Sequence, residues 1–148
     1  MPTYSVISVE GCLDAAKRAK IASEITRIHS KTTGAPTYFA QVIFTAIAPD
    51  CYFVGGSQLK GHQVFVNGQI RAGRSAESKD PLIAQITAAV AEASNLGKRN
   101  VWVYITDLVP RQMVEFGHVL PEAGDEARWA AALPDADRAH MQSFARQP

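Results

Sequence analysis

Pro2 stands directly behind the initiator Met1 and is the first residue of the chain that could do chemistry. Aminopeptidases readily remove Met when the next residue is small, and removal would turn the Pro2 ring nitrogen into a free secondary amine. An α-amino group titrates near ~8, so a modest pKa shift would suit it to acid–base catalysis near neutrality. The alternative is that Pro2 is the rigid first residue of an edge strand.

Two arginines, Arg71 and Arg74, lie where the third predicted strand ends and the second predicted helix begins, in the string Arg71-Ala72-Gly73-Arg74-Ser75. A helix N-terminus presents free N–H groups and a partial positive charge, and each guanidinium can bind an oxyanion through two parallel hydrogen bonds. The segment therefore predicts a site for a carboxylate or a phosphate. Two solvated loop arginines are the alternative.

A phenol and a carboxylate follow in the last third of the chain. Tyr104 lies on the fourth predicted strand, and Glu115 lies in the loop after it. Because Met113, Val114 and Phe116 flank Glu115, we expect them to desolvate its carboxylate and raise its pKa, as a water-activating base requires. The alternatives are a tyrosine used for packing and a solvated loop glutamate.

His29 lies near the C-terminal end of the first predicted helix, one position past Ile28 and so at the margin of an apolar stripe. On the residues alone we interpret it as a helix-end histidine favoured by the helix dipole. The other histidines show no metal-ligand spacing with one another or with a cysteine, so no metal site is predicted. These histidines are His62, His118 and His140.

Four strands are predicted from apolar alternation, over residues 2–9, 39–47, 62–70 and 100–106. The third is expected to bulge at Gly68. An amphipathic helix separates the strands of each pair, the first over residues 14 to about 32. The residues that signal the start and the end of the two helices are Asp14 and Gly34, and Ser75 and Gly97.

The two strand–helix–strand segments are repeats of each other. Their helical stripes recur at a constant offset, as Ile21, Ala22, Ile25 and Ile28 and then as Leu82, Ile83, Ile86 and Ala89. Residues 2–47 and 62–107 therefore form two tandem β-α-β units, each with a right-handed crossover between parallel strands, within a single domain over residues 1–148. The predicted fold class is α/β (α+β): a four-stranded mixed sheet with two helices on one face. A C-terminal extension with short helices follows over residues 108–148.

The uncovered face of this sheet predicts an oligomer. The 148-residue chain has a net charge of +1, which predicts no nucleic-acid partner, and no apolar run approaches the ~20 residues of a membrane span. No basic segment followed by an apolar one stands at the start, so no signal peptide is predicted. Two cysteines fit free thiols in a reducing compartment, and a cytoplasmic location is expected.

These features resemble the tautomerase superfamily and, within it, the cis-3-chloroacrylic acid dehalogenase family. The resemblance runs almost collinearly from Pro2 to about Trp129. It is carried by the doubled unit and by the strings Pro2-Thr3-Tyr4, Arg71-Ala72-Gly73-Arg74-Ser75, Val101-Trp102-Val103-Tyr104 and Met113-Val114-Glu115. The six residues that the family uses fall, in order, on Pro2, His29, Arg71, Arg74, Tyr104 and Glu115.

The resemblance implies a homotrimer that acts on a small carboxylate, with no metal and no organic cofactor. Arg71 and Arg74 would hold the substrate carboxylate, assisted by His29. Binding by two cations would draw electron density from the substrate double bond and make its β-carbon electrophilic.

The resemblance also implies a hydration reaction. Glu115 and Tyr104 would activate water for attack at the β-carbon, and protonated Pro2 would deliver a proton to the α-carbon. With cis-3-chloroacrylate, loss of chloride from the halohydrin would leave malonate semialdehyde.

The chain departs from the family beside the proposed base. The family tends to have Glu-Tyr-Gly-Arg where this chain has Glu115-Phe116-Gly117-His118, so a phenol and a permanent cation are missing there. Residues 33–38 also differ, which could alter the fit of the substrate. The alternatives are a tautomerase of enol–keto acids such as phenylpyruvate with Pro2 as base, a hydratase of acetylenic acids, and a non-enzymatic interaction protein on the same scaffold.

Overall fold

The structure, a computed structural model, describes residues 2–145, so the expected removal of Met1 falls outside the described residues. The first unit consists of β1 (Thr3–Val9), α1 (Ala15–Thr33), β2 (Gln41–Ile47) and a hairpin of β3 (Phe53–Val54) and β4 (Ser57–Gln58). The second unit repeats this order as β5 (Val64–Arg71), α2 (Ala76–Ser94), β6 (Val101–Leu108) and a hairpin of β7 (Val114–Glu115) and β8 (His118–Val119). The extension carries α3 (Glu126–Ala132) and α4 (Asp135–Ser143).

The long strands form one mixed sheet in the order β2-β1-β5-β6. Strands within each unit are parallel, and the two units meet through the antiparallel pair β1–β5. The predicted fold of two tandem β-α-β units is confirmed. Because β1 and β5 run in opposite directions, the start of β1 lies beside the end of β5.

Both long helices pack against each other and against one face of the sheet. Their apolar stripes, spaced at three or four residues, supply the centre of the core. The fully buried apolar helix residues there are Ile21, Ile25, Ile28, Leu82, Ile86 and Val90. Among residues 2–145, no helix is both long enough and apolar enough to cross a membrane.

The opposite face of the sheet has no cover from the described residues. Ile43, Trp102 and Tyr104 project from it and stay 46%, 42% and 56% exposed. Large apolar side chains in one exposed patch typically mark an interaction surface.

Capping explains where α1 begins and ends and where α2 ends, whereas the predicted cap of α2, Ser75, makes no capping hydrogen bond through its side chain. Asp14 accepts a hydrogen bond from a first-turn N–H of α1 at 2.8 Å, and Gly34 closes α1 with φ 72°. The prediction that Gly97 ends the second helix is wrong. The helix stops at Ser94, because Asn95 adopts a left-handed φ of 60° and its N–H bonds back to helix carbonyls.

The expected bulge at Gly68 is also wrong. Strands β1 and β5 pair without interruption, and Gly68 lies opposite Tyr4. A Cβ atom at position 68 would lie 2.5 Å from Cε1 of Tyr4 and 2.7 Å from Cδ1 of Ile105. Gly68 is therefore needed because the Tyr4 ring occupies the space of a side chain.

The C-terminal extension packs through a second, smaller core next to the β7–β8 hairpin. This core joins the segment before β2, the start of β7 and both extension helices. Its buried members are Phe39, Met113, Leu120, Leu133 and Met141. The extension therefore helps to position the hairpin that carries Glu115.

Candidate active site

Several predicted site residues gather at the end of the sheet where β1 starts and β5 ends. Pro2 directly precedes β1, is buried, and accepts a hydrogen bond from Gln41 N–H at 3.0 Å through its carbonyl. Arg71 is the last residue of β5, Arg74 precedes α2, and His29 lies in the last turns of α1. The topology thus brings together residues that are far apart in the sequence.

His29 is buried beside the phenol of Tyr4. Its Nδ1 lies 2.8 Å from the Tyr4 hydroxyl, and the two rings meet edge to face with centroids 5.8 Å apart. Burial, together with the positive charge of Arg74, lowers the pKa of His29 to about 3. His29 is therefore neutral at pH 7, and a histidinium held by the helix dipole, as interpreted from the residues alone, does not fit this burial.

Arg71 is tied into the protein more tightly than its sequence context suggests. Its Nη1 donates to the Pro121 carbonyl at 2.8 Å, and its Nη2 pairs with the Glu126 carboxylate. The side chain is only 8% exposed, and Nε is buried without a hydrogen-bond partner among residues 2–145. Two of the three guanidinium nitrogens therefore hold the C-terminal extension.

Arg74 is half-buried next to Arg71. Its Nη1 donates to the Arg71 carbonyl at 2.9 Å. Burial and the neighbouring charge of Arg71 lower the pKa of Arg74, but a guanidinium stays charged at neutral pH. Two adjacent cations in a partly desolvated place favour an anion between or beside them.

Glu115 lines a cavity of about 760 Å³ beside the start of β1. The polar part of the same wall includes Thr3, Gln41 and Gln112, and the apolar part includes Phe39, Leu108, Met113, Phe116 and Phe144. Glu115 is half-buried, and burial raises the pKa of its carboxyl. This direction agrees with the desolvation that the apolar neighbours of Glu115 predict.

Tyr104 is not brought to this cavity within one chain. Its ring packs edge to face on Phe65, with centroids 5.0 Å apart, on the uncovered face of the sheet. The cavity wall that contains Glu115 does not include Tyr104, and it does not include the other predicted site residues, Pro2, His29, Arg71 and Arg74. Within the described chain, Tyr104 and Glu115 therefore do not share one pocket.

Phe116 and His118, the two departures beside Glu115, connect the β7–β8 hairpin to the extension. Phe116 occupies the hairpin turn with φ 53°, and its ring lies 6.0 Å from that of Phe144, centroid to centroid. His118 Nε2 lies 2.8 Å from the carboxylate of Asp137 on α4. These contacts fix the hairpin from the side of α4.

Tyr4, Gly68 and Glu126 belong to this arrangement although the sequence analysis did not identify them as site residues. A glycine within an apolar strand indicates either a bulge or the close approach of another group. At Gly68 that group is the Tyr4 ring. Glu126 has no local signal, because its partner Arg71 lies 55 positions away.

The groups gathered at this end of the sheet can bind an anion and transfer protons. They are two guanidiniums, a neutral imidazole, a carboxyl of raised pKa and the first proline. No group of three or more His, Cys, Asp or Glu side chains within the described range could hold a metal ion.

Comparisons with known proteins give a consistent picture. A family model described as "Putative oxalocrotonate tautomerase enzyme" matches residues 1–132. The solved structure of N1, a member of the cis-3-chloroacrylic acid dehalogenase (cis-CaaD) family, is 35% identical with a TM-score of 0.91, covering 95% of this chain and 99% of that chain. No curated protein matches the chain.

Two further solved structures show the same fold at lower identity. A fused 4-OT symmetric trimer is 22% identical with a TM-score of 0.69, covering 75% of this chain and 89% of that chain. The native fused 4-OT is 22% identical with a TM-score of 0.73, covering 79% of this chain and 94% of that chain.

Proposed function

Because the chain belongs to the tautomerase superfamily, we propose that it is an enzyme that hydrates a small α,β-unsaturated carboxylate without a cofactor, with cis-3-chloroacrylate as its model substrate. The observation that carries this proposal is the position of Glu115. Its carboxyl, with a raised pKa, lines a cavity beside the start of β1. Pro2, Arg74 and His29 lie at the same end of the sheet, outside the lining of that cavity.

Arg71, Arg74 and His29 hold the substrate carboxylate in this proposal. Arg74 supplies the main cation, because the two terminal nitrogens of Arg71 already bond to Pro121 and Glu126. Arg71 adds its charge and its Nε–H. The two cations draw electron density away from the double bond and stabilise the negative charge that develops on the carboxylate during attack.

Hydration then needs a base and an acid. Glu115, with Tyr104, takes a proton from water as the oxygen bonds to the β-carbon. The π electrons of the double bond move to the α-carbon, which takes a proton from cationic Pro2. The resulting 3-chloro-3-hydroxypropanoate releases chloride, its hydroxyl loses a proton, and malonate semialdehyde remains.

Tyr104 enters the site from a neighbouring subunit of a homotrimer. Its position on the uncovered sheet face, away from the cavity of its own chain, supports this arrangement. A trimer also covers the exposed Trp102 and Ile43 on that face.

The direct test is chloride release from cis- and trans-3-chloroacrylate by the chain from which Met1 has been removed. We expect release from the cis isomer, and a loss of about 10² or more in kcat for Pro2→Ala, the usual contribution of a general acid. Pro49→Ala, a change at an exposed loop proline, is the matched control and keeps full activity. Absence of release from both isomers would rule out the dehalogenase.

One observation favours tautomerisation of enol–keto acids as the second candidate. That reaction needs Pro2 as a base and one arginine, and Arg71 is largely occupied by Pro121 and Glu126. Conversion of enol-phenylpyruvate to its keto form, with no hydration of either chloroacrylate, would favour this function.

A further inference from the structure

Tyr4 and His29 form a buried pair that the proposed reaction steps do not use. Tyr4 is 0% and His29 is 1% exposed, and the Tyr4 hydroxyl lies 2.8 Å from His29 Nδ1. The missing side chain at Gly68 leaves the space in which the Tyr4 ring lies. Residues of strand β1, helix α1 and strand β5 thus together fix the position of the Tyr4 hydroxyl.

The protonation states of Tyr4 and His29 determine the direction of this hydrogen bond. Burial raises the pKa of Tyr4 and lowers that of His29, so both groups are neutral at pH 7 and each carries one polar hydrogen. Within residues 2–145, His29 Nδ1 is the hydrogen-bond partner found for the Tyr4 hydroxyl. If Nδ1 carried the proton, the Tyr4 proton would be buried without an acceptor, which is costly.

The remaining nitrogen of His29 then has a defined role. With Nδ1 accepting from Tyr4, the imidazole proton must reside on Nε2. Nε2 is buried and has no hydrogen-bond partner among the described residues, and Arg74 lies near enough for its charge to act on both rings. A buried N–H donor beside a guanidinium is suited to a carboxylate oxygen.

We propose that Tyr4 is a positioning residue, which donates its hydroxyl proton to His29 Nδ1 and so holds the imidazole as the Nε2–H tautomer, a neutral donor for the substrate carboxylate. That His29 donates to the substrate carboxylate rests on the proposed function, whereas the Nε2–H tautomer of His29 does not. A neutral donor adds a hydrogen bond next to Arg71 and Arg74 without adding a third positive charge.

The tautomer is measured by long-range ¹H–¹⁵N NMR of the histidine-labelled protein at pH 7. The chain has four histidines, and His29→Gln identifies the His29 signals. We expect wild-type His29 to carry its proton on Nε2, and Tyr4→Phe to give a mixture of tautomers. Ser94→Ala, which removes another buried hydroxyl at the far end of α2, should leave the His29 signals unchanged.

Propanoate, which has no double bond to hydrate, serves as a carboxylate probe that does not depend on turnover. Its addition should shift the Nε2 signal of the wild type, and Tyr4→Phe should weaken propanoate binding roughly three- to tenfold, as for the loss of one hydrogen bond. In chloride release the same variant should raise KM by a similar factor, while kcat changes less than about twofold, because the interaction acts on bound substrate and transition state alike.

An Nδ1–H tautomer or an imidazolium in the wild type would overturn the proposal, and this result needs no variant that folds. An Nε2 signal that does not respond to propanoate would overturn the donor role. If propanoate binds with the expected shifts but no chloride is released from chloroacrylate, the proposal about Tyr4 stands and the dehalogenase function fails.

Discussion

Glu115 is the residue at which hydration and tautomerisation differ most. Hydration needs its carboxylate to take a proton from water, whereas tautomerisation needs only Pro2 and one arginine. We predict that Glu115→Gln lowers kcat for hydration by about 10² or more and changes phenylpyruvate tautomerisation only a few-fold. Glu122→Gln, at an exposed glutamate, is the control for both assays. Equal losses in the two reactions would contradict the role of Glu115.

Gly68 gives a second prediction at the scale of one residue. Gly68→Ala would place a Cβ atom 2.5 Å from the Tyr4 ring, so we expect the free energy of unfolding to fall by about 1–3 kcal/mol, as for an overpacked core. Gly97→Ala is the matched control, because its added Cβ would meet nothing closer than 3.8 Å. Chemical denaturation measures both variants. Equal stabilities would show that the Tyr4 ring can move aside.

The sequence predicts the protonation or the contacts of a single residue only where its neighbours in the chain determine them. The apolar neighbours of Glu115 predict the direction of its pKa, and the structure has that direction. Burial and the charge of Arg74, which comes from another part of the chain, lower the pKa of His29, so the residues next to His29 in the sequence do not reveal its charge state. The contact of Arg71 with Glu126 depends on how the extension folds back, which no spacing reveals.

At the scale of elements, the C-terminal extension is attached to the site by the ion pair of Arg71 and Glu126. We predict that Glu126→Gln lowers the free energy of unfolding at pH 7 by about 1 kcal/mol, the value for a partly exposed charged hydrogen bond. The hydrogen bond from Arg71 lowers the pKa of Glu126 in the folded state.

The sign of the pH dependence follows from that lowered pKa. The contribution of Glu126 is fully present above its unfolded pKa of about 4.3 and is lost as the pH falls through the lower folded value. Denaturation curves of the wild type and Glu126→Gln should therefore differ at pH 7 and converge at acidic pH. A difference that stays constant down to about pH 2 would show that the ion pair is not its source.

Elements were predictable because their signals lie close together in the chain. Asp14 and Gly34 act as caps as predicted, and the helical stripes pack as their spacing indicates. The end of α2 was not predictable in the same way, because Asn95 adopts the left-handed conformation that the sequence assigned to a glycine two positions later. The hairpins β3–β4 and β7–β8 are too short to produce an apolar alternation.

At the scale of the whole molecule, the uncovered sheet face is where we expect three chains to meet. Trp102→Arg places a charge in this face and should reduce the mass in solution from about three times the 16.0 kDa chain mass to that of one chain. Lys20→Glu, on the solvent side of α1, is the control. Analytical ultracentrifugation distinguishes the two masses, and an unchanged trimer in Trp102→Arg would place the interface elsewhere.

Loss of the trimer should also abolish hydration, since Tyr104 lies on the same face and away from the cavity of its own chain. The sequence predicted the uncovered face from the number of helices. It could not predict that Tyr104 and Glu115 lie apart within one chain, because that depends on which face of β6 carries position 104.

The protonation state of Pro2 distinguishes hydration from tautomerisation. A general acid must hold its proton at working pH, whereas a tautomerase base must not. The nitrogen of Pro2 can be titrated by ¹⁵N NMR in the labelled chain from which Met1 has been removed. For hydration we expect a Pro2 pKa above 7, so that Pro2 is cationic at neutral pH. A neutral Pro2 at pH 7 would rule out proton delivery by Pro2 and favour tautomerisation.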